Sequence, residues 1–134
     1  MKNDYAGRAR SLVGTRFRPQ GRVPELGLDC IGLVLCAFEL PGDLVRRDYR
    51  LRGDYRREMV VELGKVFRRV PEHQLRASDL VLLQVAQDQL HLAILTVSGF
   101  VHAHARLGKV VETPGTPPWL ILGGFRRRSR AGKA

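Results

Sequence analysis

The residue of this 134-residue chain best suited to nucleophilic chemistry is Cys30, which follows Asp29 and precedes Ile31-Gly32. Asp29 is a good N-cap, so the pattern predicts that the thiol lies in the first turn of a helix. There the helix dipole favours thiolate over thiol, and the Cys30 N–H could serve an oxyanion. Gly32 would leave space beside the sulfur for a substrate backbone. A buried structural cysteine is the competing interpretation, and it is the better one for Cys36, which lies in mid-helix among apolar residues.

A thiolate nucleophile needs a base, and histidines on two consecutive predicted strands could supply one. His91 opens the apolar run 91–95, while His102 and His104 lie on the next run and share a face, because side chains alternate along a strand. Ser98-Gly99 between the runs predicts a hairpin, which would bring His91 across from one of the other two. Such a pair gives a base and a polar group that orients it, as cysteine hydrolases require.

The spacing of the same residues argues against disulfide, metal and phosphate chemistry. Six helical steps separate Cys30 from Cys36 by about 9 Å along the axis and place them on different faces, too far apart for a disulfide. The positions of the cysteines and of His91, His102 and His104 fit none of the usual zinc spacings. No Gly-x-x-x-x-Gly-Lys phosphate loop occurs.

The elements that must position these residues change in character along the chain. Helical spacing predicts a short first helix capped by Asn3 or Asp4, and a central helix over Cys30–Leu40 that is apolar on nearly every face. A charge-dense connection over 43–57 leads to a third helix carrying Met59, Leu63, Val66 and Phe67. About five antiparallel strands follow, at 80–85, 90–97, 100–105, 109–112 and 120–125. Helices first and strands second predict an α+β fold with the central helix packed on the sheet.

Length and charge narrow the class of protein further. The chain suits one domain over 1–126, with a basic C-terminal tail over 127–134 that we expect to be flexible. No apolar run reaches the ~18 residues of a membrane span, and no signal peptide is visible, so synthesis in the cytoplasm is expected. Lys and Arg number 23 against 13 acidic residues, a net charge of +10, which raises nucleic acid as a partner. With aromatics at 7% and no basic helix interleaved with them, the charge is better explained by an anionic cell envelope or by surface composition alone.

Four stretches of the chain, in order, resemble motifs of the NlpC/P60 cysteine peptidases, and within them the short forms encoded with phage tails and gene transfer agents. They are Val13–Arg18, Leu28–Val34, Ala77–Leu82, and the pair His91–Ile94 with Phe100–Ala103. They resemble, in turn, the family's Gly-Thr-Pro-Tyr-Arg stretch, its Asp-Cys-Ser-Gly-Leu-Val nucleophile motif, its Pro-Gly-Asp-Leu-Val stretch, and its His-Val-Gly-Ile and Phe-Ile-His-Ala pair. The resemblance covers nearly the whole chain, from about residue 6 to 125.

The resemblance implies a papain-like α+β fold in which Cys30 is the nucleophile, His91 the general base and His102 the polar residue that orients His91. It implies a peptidase that cleaves peptidoglycan stem peptides, typically between D-glutamate and the diamino acid, without metal or organic cofactor. It also implies tail proteins as partners and action at the cell wall. His104 has no counterpart in the motif.

The chain departs from the family pattern at three positions. Phe17 stands where the family usually has Tyr, Ile31 replaces a Ser, and Ser78 replaces a turn Gly. The resemblance implies that a hydroxyl which reaches the catalytic region in the family is missing here. Two alternative functions remain open: an amidase or acyltransferase that keeps the triad, and a non-catalytic basic module for tail assembly or nucleic-acid binding.

Overall fold

Three helices form the first half of the protein. The structure, a computed structural model, describes residues 4–45 and 55–128. The helices are α1 (Tyr5–Ser11), α2 (Cys30–Ala37) and α3 (Arg56–Gly64). Asp4 caps α1 by accepting a hydrogen bond from Gly7 N at 2.8 Å, as the sequence predicts.

The central helix α2 begins at the predicted residue and ends earlier than expected. Asp29 is its N-cap, and the helix stops at Ala37 instead of Leu40. Glu39 adopts a left-handed φ of 55°, and Leu40 N donates to Leu35 O at 2.8 Å. This six-residue closure satisfies a carbonyl at the helix end and turns the chain ahead of Pro41.

The third helix is shorter than predicted, because Val66 lies in the following turn and Phe67 in a strand. α3 ends at Gly64, and Phe67–Val70 forms β3, which pairs with a strand more than fifty residues further along the chain. Phe67 is still buried in the core, as the helical spacing suggested, but it enters the core from the sheet. A long-range pairing leaves no local signal, so tertiary structure decides the conformation here.

The sheet has six antiparallel strands, one more than predicted, in the order β3-β8-β4-β5-β6-β7. The other five are β4 (Leu80–Ala86), β5 (Gln89–Leu95), β6 (Gly99–His104), β7 (Lys109–Pro114) and β8 (Leu120–Arg127). The predicted meander holds for β4 to β7, whereas β8 returns across the sheet to pair with both β4 and β3. The loop before α2 carries two short paired strands, β1 (Arg22–Val23) and β2 (Gly27–Leu28).

The two faces of the sheet have different coverings. One face packs against α2 and the other helices through a large apolar core that includes Leu82, Leu92 and Phe125. The opposite face carries a smaller cluster of Val81, Leu83, Ala93 and Phe100, with Trp119 and Ile121 packed against it. Because residues alternate along a strand, His91 lies on the same face as Ala93. None of the helices in the described part of the chain is long and apolar enough to span a membrane.

The turn before β4 is fixed by two unusual residues. Ser78 has a φ of 78°, in the region that favours glycine, and its hydroxyl accepts a hydrogen bond from Ala6 N at 2.9 Å. The Ser at this position therefore joins α1 to the sheet. Asp79, which is fully buried, accepts two hydrogen bonds of 2.8 Å from the guanidinium of Arg126 on β8.

Two predicted segments extend beyond what the structure describes. Residues 46–54, most of the charge-dense connection, and residues 129–134, most of the basic tail, lie outside the described residues, as does Asn3. Of the predicted tail, Arg127 is the last residue of β8.

The Asp79–Arg126 pair yields a stability prediction. Arg126→Met leaves the buried carboxylate without its cation, so we expect the free energy of unfolding to fall by about 3 kcal/mol in urea. Arg128→Met is the matched control, because Arg128 is exposed and its guanidinium makes one hydrogen bond of 3.2 Å to Gly64 O. It should cost less than about 1 kcal/mol. Equal losses in the two variants would contradict this role for Arg126.

Candidate active site

The Cys30 thiol lies at the start of α2, in a position fixed by Asp29. The Asp29 carboxylate accepts hydrogen bonds from Gly32 N at 2.8 Å and from Gln20 N at 3.0 Å. One oxygen therefore caps the helix while the other holds the preceding loop against it. Cys30 itself is buried, with its sulfur near the backbone amide of Leu92 on β5.

Gly32 does not provide room for a substrate, which corrects the sequence-based expectation. A Cβ at Gly32 would collide with the carbonyl of Gly21 and contact the side chain of Leu28. The glycine is thus needed because the preceding loop packs directly on the helix backbone. Any substrate must approach the sulfur from another side.

The resting thiol is neutral, which corrects the expectation that the helix N-terminus favours thiolate. Burial raises the pKa of Cys30 well above its ordinary value, and the charge of Asp29 raises it further. The backbone amides of Leu92, Cys30 and Ile31 lower this pKa, but by less than burial raises it. A nucleophile at this position must be formed by proton transfer to a base.

The structure brings together His91 and His102 through the predicted hairpin. His91 Nε2 and His102 Nδ1 are 3.0 Å apart, and the two rings meet edge to face. β5 pairs with β6 at Ile94 and Val101, and this register places the small Ala93 opposite His102, leaving its ring room to reach His91. His102 is buried and His91 half-buried.

The cysteine and the histidine pair lie on neighbouring elements, α2 and the hairpin of β5 and β6. Among the described residues, no hydrogen bond joins Cys30 to His91, and His91 Nδ1 has no hydrogen-bond partner. The backbone amide of Leu92, the residue next to His91, interacts with the sulfur and lowers the pKa of the thiol. β5 therefore passes the N-terminus of α2 at Leu92, next to His91, and the Cys30 sulfur lies near the backbone of β5.

Both histidines are neutral at neutral pH. Burial lowers the pKa of His91 to about 4, and the nearby charges of His102 and His104 add to this effect. The pKa of His102 is also lowered to about 4, mainly by burial and then by the charge of His104. Each ring therefore carries a single proton and offers one nitrogen as an acceptor.

Two residues that sequence reasoning missed complete the surroundings of the pair. Thr113 Oγ1 on β7 lies 3.1 Å from His102 Nε2. The Trp119 ring stands edge-on to both imidazoles, with centroids 6.2 Å from His91 and 5.9 Å from His102. Alternation along β7 would have placed Thr113 on this face, but only the strand register assigns it to His102.

The remaining candidates have other roles in the structure. His104 lies beside His102, and its Nδ1 accepts a hydrogen bond from Leu107 N at 3.2 Å in the following turn. Cys36 is half-buried, with its thiol 3.5 Å from Arg22 O. Phe17 joins the edge of β7 through a hydrogen bond from its N–H to Gly108 O and packs against the core. Within residues 4–45 and 55–128, no group of three or more His, Cys, Asp or Glu side chains is placed to hold a metal.

The fold of this chain is similar to that of solved NlpC/P60 domains. The NlpC/P60 domain of the peptidoglycan hydrolase SagA matches with a TM-score of 0.59 and 18% sequence identity, over 83% of this chain and 86% of that one. The P60 domain of antigen MAP1204 from M. avium subspecies paratuberculosis matches with a TM-score of 0.58 and 23% identity, over 92% and 91%. No protein-family model and no curated protein matches the sequence.

These similarities define the class by its fold. The chain is an α+β protein with helices packed on an antiparallel sheet, as predicted, and the papain-like description is consistent with it. Within that class, its fold is that of NlpC/P60 domains.

The lowered histidine pKa values predict a stability that depends on pH. Because the folded pKa of His102 lies below its ordinary 6.5, the unfolded chain binds more protons as the pH falls below that value. The free energy of unfolding should therefore fall from pH 6.5 to pH 5, by on the order of 2 kcal/mol for His102 alone. Urea unfolding at several pH values measures this.

Substitution of single histidines shows which of them causes this slope, the fall in the free energy of unfolding between pH 6.5 and pH 5. His102→Gln should flatten the dependence of the free energy of unfolding on pH, and His73→Gln, which removes an exposed histidine in the short 3-10 turn before β4, is the matched control. An unaltered slope in His102→Gln would show that the buried pair is not its source.

Proposed function

We propose that this protein is a cysteine peptidase of the NlpC/P60 type that hydrolyses an amide bond in peptidoglycan stem peptides. The observation that carries the proposal is the 3.0 Å hydrogen bond between His91 and His102. His91 lies on β5, the strand that passes the helix N-terminus bearing Cys30. The fold it shares with the domain of a peptidoglycan hydrolase supports the substrate class. The four motifs that resemble the family support the same assignment of Cys30, His91 and His102 as nucleophile, base and orienting residue.

In the proposed reaction, His91 Nδ1 takes the proton of the Cys30 thiol while the sulfur attacks the carbonyl carbon of the scissile amide. The sulfur–carbon bond forms as the carbonyl electron pair moves to oxygen. The N–H groups of Cys30 and Ile31 have no acceptor within the helix, so they are available to that oxyanion. The sulfur must leave the Leu92 amide to meet His91 in the substrate complex.

Collapse of the intermediate breaks the carbon–nitrogen bond, and His91 gives its proton to the departing amine. A thioester on Cys30 remains. Water then attacks this thioester with its proton passing to His91, and the carbon–sulfur bond breaks to release the acid and restore the thiol. No step needs a metal or an organic cofactor.

The neutral resting pair fits this sequence of events. A neutral imidazole is a competent base, and the pKa of His91 near 4 keeps it neutral well below pH 7. The transfer of the proton creates charge only when substrate is bound, because burial disfavours the thiolate in the free protein.

We further propose that the protein reaches the wall with tail proteins of the phage or gene-transfer-agent type. The resemblance of the four motifs to short, tail-encoded forms supports this delivery. The net charge of +10 would favour contact with an anionic envelope.

The cysteine pair of this chain offers a matched test of the proposed activity. Cys30→Ala should lower cleavage of purified stem peptides by at least about 10³-fold, because it removes the nucleophile. Cys36→Ala, which removes the other thiol six residues along the chain, should stay within about twofold of the unaltered protein. Chromatography with mass detection of the peptide fragments gives the rates.

The folded state of both variants is checked by their unfolding midpoints. The proposal fails if the unaltered protein releases no fragment from stem peptides. It fails equally if folded Cys30→Ala cleaves them at the unaltered rate.

A further inference from the structure

The hydrogen bond between His91 and His102 is extended by a second one, between His102, the proposed orienting group, and Thr113. His91 Nε2 meets His102 Nδ1 at 3.0 Å, and His102 Nε2 meets Thr113 Oγ1 at 3.1 Å. The three side chains thus form a line from His91 across β6 to β7. A threonine hydroxyl can donate or accept, so its direction sets the positions of the protons along the line.

The two directions give opposite chemistry at His91. If the Thr113 hydroxyl donates to His102 Nε2, the single ring proton of His102 lies on Nδ1 and points at His91 Nε2. His91 then carries its own proton on Nδ1, the nitrogen that must accept from the thiol, and it is no base toward Cys30. If Thr113 instead accepts from His102 Nε2–H, then His102 Nδ1 accepts from His91 Nε2–H, and His91 Nδ1 is left with a lone pair.

We propose that Thr113 is a positioning residue whose hydroxyl oxygen accepts from His102 Nε2–H and thereby holds both histidines as Nε2–H tautomers. This inference rests on the proposed function, because it is the role of His91 as base that selects the direction. The hydroxyl of Thr113 meets His102, and it is through His102 that Thr113 acts on His91.

The surroundings of the line support this assignment. His102 is buried, so its Nε2 needs a hydrogen-bond partner, and the Thr113 hydroxyl, which is able to accept from an Nε2–H, is the partner that the structure places there. Thr113 is half-buried, so its own hydrogen can turn toward solvent. The Trp119 and Phe100 rings flank His102, with centroids 5.9 and 4.8 Å away, and contribute to its burial.

The tautomers are measured directly by two-bond proton–nitrogen correlation of the imidazoles in ¹⁵N-histidine-labelled protein at pH 7, with signals assigned by replacing His73 and His104 in turn. Both His91 and His102 should be in the Nε2–H form. In Thr113→Val, which keeps the shape but loses the hydroxyl, the Nδ1–H form of both rings should rise. Thr113→Ser keeps the hydroxyl and should restore the original spectrum.

Stem-peptide cleavage should follow the tautomers, with kcat/KM about tenfold or more lower in Thr113→Val and recovered in Thr113→Ser. An Nδ1–H signal for His102 in the unaltered protein would overturn the proposal, and so would unchanged tautomers in Thr113→Val. The spectrum of the unaltered protein decides the direction even if a variant does not fold. Predicted tautomers in a protein that cleaves no stem peptide would refute the proposed function and leave the assignment of Thr113 intact.

Discussion

The carboxylate of Asp29 accepts hydrogen bonds from two amides that the chain places nine and three residues away, those of Gln20 and Gly32. These two hydrogen bonds hold the loop before α2 against the first turn of that helix. Gly21 therefore packs closely against Gly32, and a side chain at Gly32 would disrupt this packing. The position of Cys30, the first residue of α2, depends on the same carboxylate.

This arrangement has an electrostatic consequence for the proposed chemistry. The charge that holds the helix start lies next to the thiol and raises its pKa, in the same direction as burial. The helix amides oppose this effect without overcoming it. A nucleophile built in this way depends on a base, and the sheet supplies a neutral histidine pair in the hairpin of β5 and β6, enclosed by Trp119 and continued by Thr113.

Local signals in the sequence predicted the features that depend on neighbouring residues. The caps at Asp4 and Asp29, the apolar character of α2, and the hairpin that joins His91 to His102 follow from short-range chemistry, and the structure confirms them. The assignment of Phe67 to a helix was wrong because β3 exists only through its pairing with β8. The thiolate expectation was wrong because the dipole of a helix is visible in a sequence whereas the depth of burial is not. Thr113 was missed since a polar residue on a strand has no partner until the register is known.

The central claim, that Cys30 is a nucleophile activated by His91, is tested most directly by trapping the thioester. The protein is mixed with stem peptide, quenched in acid within seconds, digested and examined by mass spectrometry. We expect an acyl adduct on Cys30 and none on Cys36, with the adduct absent from His91→Ala because the thiol is no longer deprotonated. Cleavage of the peptide with Cys30 unmodified at every quench time, or an adduct that forms equally in His91→Ala, would contradict it.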